Sequence, residues 1–209
     1  MIRILIADDH IIVRKGLKQI LLEEFPNAQI KEVSDAEDMV NKIMNAKWDV
    51  VISDISMPGR SGLDALHQIK ESHPKLPVLI LSIHPEDQYA IRVLKAGAAG
   101  YLNKGLAADE LVKAVRKVLS GKRYISSAVA DKLAASLDHN HEKDPHQLLS
   151  NREFDVMKLL AAGKSVSQIA ERISLSMTTV STYRFRIMIK MQMKTNADLT
   201  RYALDHKLL

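Results

Sequence analysis

The sequence predicts a doubly wound α/β domain built on a five-stranded parallel sheet, followed by an all-α domain of four short helices. Three observations lead there. Short apolar runs alternate with helical periods along the first 120 residues, and βα units in series imply a parallel sheet with helices on both faces. Beyond residue 150 no strand pattern recurs, and helix start signals follow one another closely. Between the two regions, Asp138-His139-Asn140-His141-Glu142-Lys143-Asp144-Pro145-His146 is polar, has no period and contains proline, the composition of an exposed linker. A chain of 209 residues also exceeds the usual single domain.

The strand-like runs are Ile2–Ala7, Ala28–Val33, Val50–Ser53, Val78–Ser82 and Gly100–Leu102. Each is short, apolar and bounded by turn signals, as expected of strands buried on both faces. The helical periods between them cover Val13–Glu24, Asp35–Met44, Leu63–Ser72, Glu86–Ala96 and Ala108–Ser120. Ser34-x-x-Glu37 and Ser61-x-x-Asp64 read as capping boxes, the second an Asp variant. Pro85 suits the first turn of its helix. Ser126–Leu137 reads as one more amphipathic helix, with Val129, Leu133 and Leu137 inward. The expected boundaries are residues 1–122 for the first domain, 123–147 for the linker and 148–209 for the second domain.

In the second domain, Ser150-Asn151-Arg152-Glu153 is a capping box before Phe154, Met157, Leu160 and Ala161, and Gly163 stops that helix. Ser165-Val166-Ser167-Gln168 opens another, with Ile169 and Ile173 inward. After Ser174-Leu175-Ser176 a longer, basic helix runs to about Met191. Thr195-Asn196-Ala197-Asp198 caps the last, with Leu199, Tyr202 and Ala203 inward. Two helices joined by a tight turn, the second longer and basic, form the helix-turn-helix pattern.

Composition excludes several function classes. The longest apolar runs are far short of the roughly 20 residues of a membrane span. The chain enters a strand pattern at once, without the charged and apolar regions of a secretory leader. With no cysteine, disulfides and thiolate metal sites are ruled out, and a reducing cytoplasm is the expected location. The three histidines of the linker lack a rigid scaffold for a metal. Net charge is +5, and residues 150–209 carry ten Lys/Arg against five Asp/Glu, which suits a polyanion partner or simply a solvated surface.

Open α/β sheets place ligands beyond the C-terminal ends of their strands. Val50–Ser53 ends in Asp54, followed soon by Pro58 and Gly59, and Ile2–Ala7 ends in Asp8 and Asp9. Three such carboxylates close together repel unless a cation neutralises them. Hard oxygen ligands suit Mg2+, which often meets a phosphate. Ser82 and Lys104 follow two further strands and add a hydroxyl and an ammonium group. Together these groups suit a phosphoryl ligand, and the carboxylate itself can be the nucleophile, giving an acyl phosphate. Taken singly, an aspartate at a strand end is commonly a turn residue. Their occurrence together at four strand ends is the specific signal.

On these residues the first 120 positions resemble the receiver domain of two-component response regulators, whose fold is the flavodoxin-like doubly wound sheet. The resemblance implies that Asp8 and Asp9 are the acidic metal-binding pair and Asp54 the phosphoacceptor, with the Ser56 backbone carbonyl a further metal ligand. It implies that Ser82 is the phosphate-sensing hydroxyl, Lys104 the invariant lysine and Tyr101 the aromatic switch. Met57-Pro58-x-x-x-Gly62 also follows the family pattern, and Ala-Gly-Ala-Ala-Gly-Tyr-Leu at 96–102 matches the NarL/FixJ branch. Gly105 departs from it, since an acidic residue or proline usually follows the lysine. Ser56 and His84 lie two positions past key residues, where the family tunes the lifetime of the acyl phosphate.

Residues 150–209 resemble the LuxR-type helix-turn-helix of the same branch, through Leu149-Ser150-x-Arg152-Glu153, Leu160-Ala161-x-Gly163-x-Ser165, Gln168-Ile169-Ala170 and Ser176-x-x-Thr179-Val180. At 100° per residue the recognition helix turns Val180, Tyr183, Ile187 and Met191 to the core. Thr178, Thr182, Phe185 and Ile189 face away, with Ser181 and Arg186 beside them. Arg184, Arg186, Lys190 and Lys194 suit phosphates, and Ser181, Thr182 and Phe185 suit base edges. Family members often carry lysine at the positions of Ser181 and Phe185. Phe185 is therefore placed either to touch a thymine methyl or, with Ile189, to form an apolar patch for another protein.

The resemblance implies a phosphorylation-switched, DNA-binding transcription regulator with no separate substrate. It implies a cognate histidine kinase, double-stranded DNA, Mg2+ and a homodimer when phosphorylated as partners, and no membrane. Two rivals stand beside it: a receiver that signals to a protein through Phe185 and Ile189, and an independent phosphatase of the same carboxylate chemistry.

Overall fold

The structure, a computed structural model, describes residues 1–57, 62–83, 86–105, 108–127, 129–131 and 144–209. Contacts divide the chain into two units, Met1–His139 and Asn140–Leu209. The first contains strands β1 (Arg3–Ala7), β2 (Gln29–Val33), β3 (Val50–Asp54), β4 (Val78–Ser82) and β5 (Gly100–Asn103), all parallel, in the order β2-β1-β3-β4-β5. The helices are α1 (Ile11–Glu24), α2 (Ala36–Asn45), α3 (Gly62–Ser72), α4 (Glu86–Lys95) and α5 (Ala108–Leu119). The predicted doubly wound sheet is therefore present.

The sequence explains the burial. Val50-Val51-Ile52-Ser53-Asp54 and Val78-Leu79-Ile80-Leu81-Ser82 are buried at every position, as interior strands covered on both faces must be. The edge strand β2, Gln29-Ile30-Lys31-Glu32-Val33, alternates instead, since one of its faces meets water. On one side of the sheet, Ile4, Ile6, Ile52 and Leu79 pack against Leu21 of α1 and Leu111 and Val115 of α5.

Three details differ from expectation. The cap of α2 is Asp35 rather than Ser34, its carboxylate accepting from Asp38 N–H at 2.8 Å. Helix α1 begins at Ile11, two residues early, and β5 runs on to Asn103. The expected caps Ser61 and Pro85 lie outside the described residues. Tyr124 bridges Gly100 in parallel pairing, its N–H donating to the Ala99 carbonyl at 2.8 Å, so this part of the stretch assigned to a linker is fastened to the first unit. Residues 127 and 129–131 are helical and Val129 is buried, while Leu133, Leu137, His139 and His141 lie outside the described residues.

The second unit opens with a 3-10 turn, Pro145–Leu148, followed by α6 (Asn151–Ala161), α7 (Val166–Arg172), α8 (Met177–Met191) and α9 (Asn196–Asp205). Both expected capping boxes form, at Ser150/Glu153 and Ser165/Gln168, and the expected cap at Thr195 makes a third with Asp198. Ser176 caps α8 by accepting from Thr179 N–H at 3.1 Å. The tight turn between α7 and α8 places Ser174 at φ 52°, the left-handed region that ends many helices. Phe154, Met157, Leu160, Ile169, Val180, Ile187 and Leu199 make the core.

Candidate functional site

Strand order reverses beside β1, which has β2 on one side and β3 on the other. A crevice opens over the C-terminal ends at such a switch point. The register pairs Ala7 with Ser53, so Asp8 and Asp54 emerge side by side, both buried. Asp8, Asp9, His10 and Asp54 each bring a ligand atom to this crevice, all within 4.8 Å of one another. Sequence reasoning missed His10. Its position directly after two aspartates was the available signal.

Lys104 reaches in from the end of β5. Its ammonium lies 2.8 Å from Asp54 Oδ2 and 2.7 Å from Asp8 Oδ2. Its backbone N–H donates to the Ser82 carbonyl at 2.8 Å, which straps the end of β5 to the end of β4. Burial alone would lower the Lys104 pKa, but its hydrogen bond to the Asp54 carboxylate, and the close negative charges of Asp54 and Asp8, hold it above the ordinary lysine value. The Asp8 contact is the weaker of the two, because Oδ2 meets the ammonium at 2.7 Å without the angle of a good hydrogen bond.

Other groups fix the carboxylates. His10 donates its backbone N–H to Asp8 Oδ1 at 2.9 Å, and its ring lies 2.7 Å from Asp9 Oδ1. The Arg14 guanidinium donates to the Asp8 carbonyl at 2.5 Å. Ser56 N–H donates to Asp54 Oδ1 at 3.2 Å. Gly62 is required here: a Cβ on it would stand 2.5 Å from the Asp54 carbonyl oxygen and 3.0 Å from Ile55 Cα.

The donor set fits a hard divalent cation. Asp8 Oδ2 and Asp9 Oδ1 are buried and accept no well-formed hydrogen bond from the described residues, so both keep lone pairs inside a cluster of oxygens. Ser82 ends β4 and Tyr101 lies within β5, both buried, with Tyr101 only 2% exposed. Gly105 is tied down, its N–H donating to Asn103 Oδ1 at 2.8 Å. His84 lies outside the described residues.

In the second unit, α8 buries Val180, Ile187 and Met191, and half-buries Tyr183. Ser181, Thr182, Arg186 and Lys194 are exposed. Phe185 is 67% and Ile189 60% exposed. Two of the expected phosphate-binding cations are already engaged. Arg184 Nε donates to Asn196 Oδ1 at 3.0 Å, and Lys190 Nζ donates to Glu153 Oε2 at 2.6 Å. Burial would raise the pKa of Glu153, but Lys190 and the Ser150 N–H and hydroxyl hold it below the usual carboxylate value. This pair joins positions 37 residues apart, a separation that local pattern does not reveal.

Comparison with known proteins agrees with both units. Residues 4–116 match the model of the response regulator receiver domain, and residues 147–203 that of the bacterial regulatory proteins of the luxR family. The chain is 38% identical to the response regulator UvrY of Escherichia coli K12 over 209 residues, covering 100% of this chain and 96% of UvrY. It is 35% identical to the response regulator GacA of Pseudomonas aeruginosa over 207 residues, covering 99% and 97%. Among solved structures, RcsB of Salmonella enterica serovar Typhimurium, bound to promoter rprA with phosphomimetic BeF3−, superposes with a TM-score of 0.63 at 27% identity, covering 97% of this chain and 98% of RcsB. A carboxylate crevice at the switch point of a receiver sheet, followed by a four-helix LuxR-type domain, places the chain in the NarL/FixJ family of two-component response regulators.

Proposed function

We propose that the protein is a phosphorylation-switched transcription regulator whose phosphoacceptor is Asp54. The observation that carries this reading is the buried Asp54 carboxylate closing β3 between two further aspartates and an opposing ammonium. A carboxylate oxygen of Asp54 attacks the phosphorus of the phosphohistidine of a cognate kinase, or of a small acyl phosphate. As the new O–P bond forms, the bond to the leaving group breaks and its electron pair stays with the imidazole or carboxylate that departs. Asp8, Asp9, Asp54 and the Ser56 carbonyl are the residues that would hold Mg2+, which supplies positive charge against the phosphoryl oxygens.

Lys104 then exchanges its bond to Asp54 Oδ2 for one to a phosphoryl oxygen. The Ser82 hydroxyl donates to another, and Tyr101 packs into the space that Ser82 leaves. These local moves bias a two-state equilibrium, as ligand switches do. Residues 1–122 form the receiver on this reading, 123–147 the linker and 148–209 the DNA-binding domain. Output is a homodimer on paired half-sites of double-stranded DNA. Ser181, Thr182 and Phe185 face bases, and Arg184, Arg186, Lys190 and Lys194 reach phosphates. On this reading the protein works in the cytoplasm, and none of the described helices is long and apolar enough to cross a membrane.

Treating the full chain with an acyl phosphate and Mg2+ tests the reading, with intact mass, light scattering and duplex binding as readouts. The mass rises by one phosphoryl group, Asp54→Asn stays unchanged, and the modified chain dimerises and retains specific DNA. An unmodified mass overturns the central claim, and a modified monomer overturns the dimer step. Failure to retain any duplex specifically, at any salt, favours output to a protein through the exposed Phe185 and Ile189.

A further inference from the structure

The geometry points to thymine methyl groups as the feature that α8 reads in DNA, through the exposed side chains of Phe185 and Ile189. This inference rests on the DNA-binding reading above. With Val180, Ile187 and Met191 buried, counting about 100° per residue turns Thr178, Thr182, Phe185 and Ile189 directly away from the core. That outward strip carries no Arg or Lys, the side chains that make the commonest specific contact, to guanine. Of the cations around it, Arg186 is exposed at the strip's edge, where it suits a phosphate, and two others are already engaged. Arg184 is held by Asn196 and Lys190 by Glu153. Even the Thr182 hydroxyl donates back to the Thr178 carbonyl at 3.0 Å.

The strip therefore presents apolar carbon where base edges would lie. In the major groove the C5-methyl of thymine is the apolar feature of those edges, whereas guanine, adenine and cytosine show donors and acceptors. Pressing Phe185 against a polar edge would strand a buried donor or acceptor, which costs more than a missed contact. Phe185 and Ile189 lie four residues apart, a rise of about 6 Å along the helix, close to two base-pair steps of about 3.4 Å. One methyl for each side chain follows. Arg186, exposed beside the strip, Lys194, exposed past the end of α8, and the ten Lys/Arg against five Asp/Glu of residues 150–209 favour DNA as the occupant over a neutral protein surface.

The operator is first selected by the protein itself: the acyl-phosphate-treated full chain enriches a site from a random duplex library. That duplex is then remade with deoxyuridine for thymidine, one position at a time, and binding is followed by fluorescence anisotropy. Removing a contacted methyl weakens binding about fourfold, and removing both in a half-site about fifteenfold, the scale set by burying one methyl each. Phe185→Ala weakens the thymine duplex similarly and no longer distinguishes uracil at its own position. An enriched duplex held equally well with uracil throughout overturns the inference, leaves DNA binding standing and assigns the strip to a protein or a second copy. If no duplex is enriched, the DNA-binding reading falls and this one with it.

Discussion

Lys104→Met will unfold about 3 kcal/mol more readily than the wild-type chain in metal-free buffer at neutral pH, the scale for removing one partner of a buried ion pair. The lysine is the cation that both Asp8 and Asp54 contact, and those carboxylates are 1% and 4% exposed. Methionine fills the volume but leaves the two negative charges facing each other in a poorly solvated crevice. Millimolar Mg2+ restores part of the loss, and more in the variant than in wild type, because a ligand that binds the folded state stabilises it by mass action. The pH dependence has a fixed sign. The folded-state pKa of Lys104 lies above 10.5, so its stabilisation is complete below that value and is lost as pH rises through the folded pKa. The gap between variant and wild type thus stays constant from neutral pH upward and closes only under strongly alkaline conditions. Thermal melts across pH, with NaCl matched in ionic strength as a control, read all of this. A variant as stable as wild type, or one that Mg2+ aids no more than NaCl does, refutes the electrostatic account of the crevice.

Gly62→Ala is the second large effect. The added methyl would lie 2.5 Å from the Asp54 carbonyl oxygen and close to the backbone of Ile55. Backbone cannot step aside as a flexible side-chain tip can, so β3 and α3 must separate at their junction. Overpacking of this kind costs about 2–3 kcal/mol. The displaced atoms belong to Asp54, the proposed phosphoacceptor, so phosphoryl uptake is expected to slow as well. A melt of the receiver's transition and a mass time-course with an acyl phosphate measure both effects. Wild-type stability with wild-type labelling would show that the junction yields freely.

Much of this molecule is visible in its sequence, for an identifiable reason. Val50 to Asp54 and Val78 to Ser82 announce themselves because a strand covered on both faces must be apolar throughout, and the polar residue that ends each run marks where the crevice lies. The three capping boxes of the second unit are equally legible, since each satisfies two backbone donors from residues three apart. Legibility fails where two residues could do the same work or where partners are remote in the chain. Ser34 and Asp35 are both good caps, and only backbone geometry chooses the second. His10 reads as an ordinary residue before a helix until the ends of β1 and β3 are brought together. Arg184 and Lys190 look like a basic face for phosphates, and the fold alone reveals Asn196 and Glu153 as their partners.

The Glu153–Lys190 pair carries one more consequence. A single oxygen, Oε2 of Glu153, accepts both the Ser150 N–H at 2.7 Å and the Lys190 ammonium at 2.6 Å. The first bond completes the start of α6, and the second pins the basic end of α8 to it. A phosphate that draws Lys190 away leaves the buried carboxylate with less compensation, so tightening the grip on DNA loosens the scaffold beneath it. By thermodynamic reciprocity the scaffold resists that grip to the same extent. On the proposed DNA-binding reading the pair would act as a threshold: duplexes offering only backbone charge would work against it, and those that also satisfy the outward strip of α8 would overcome it.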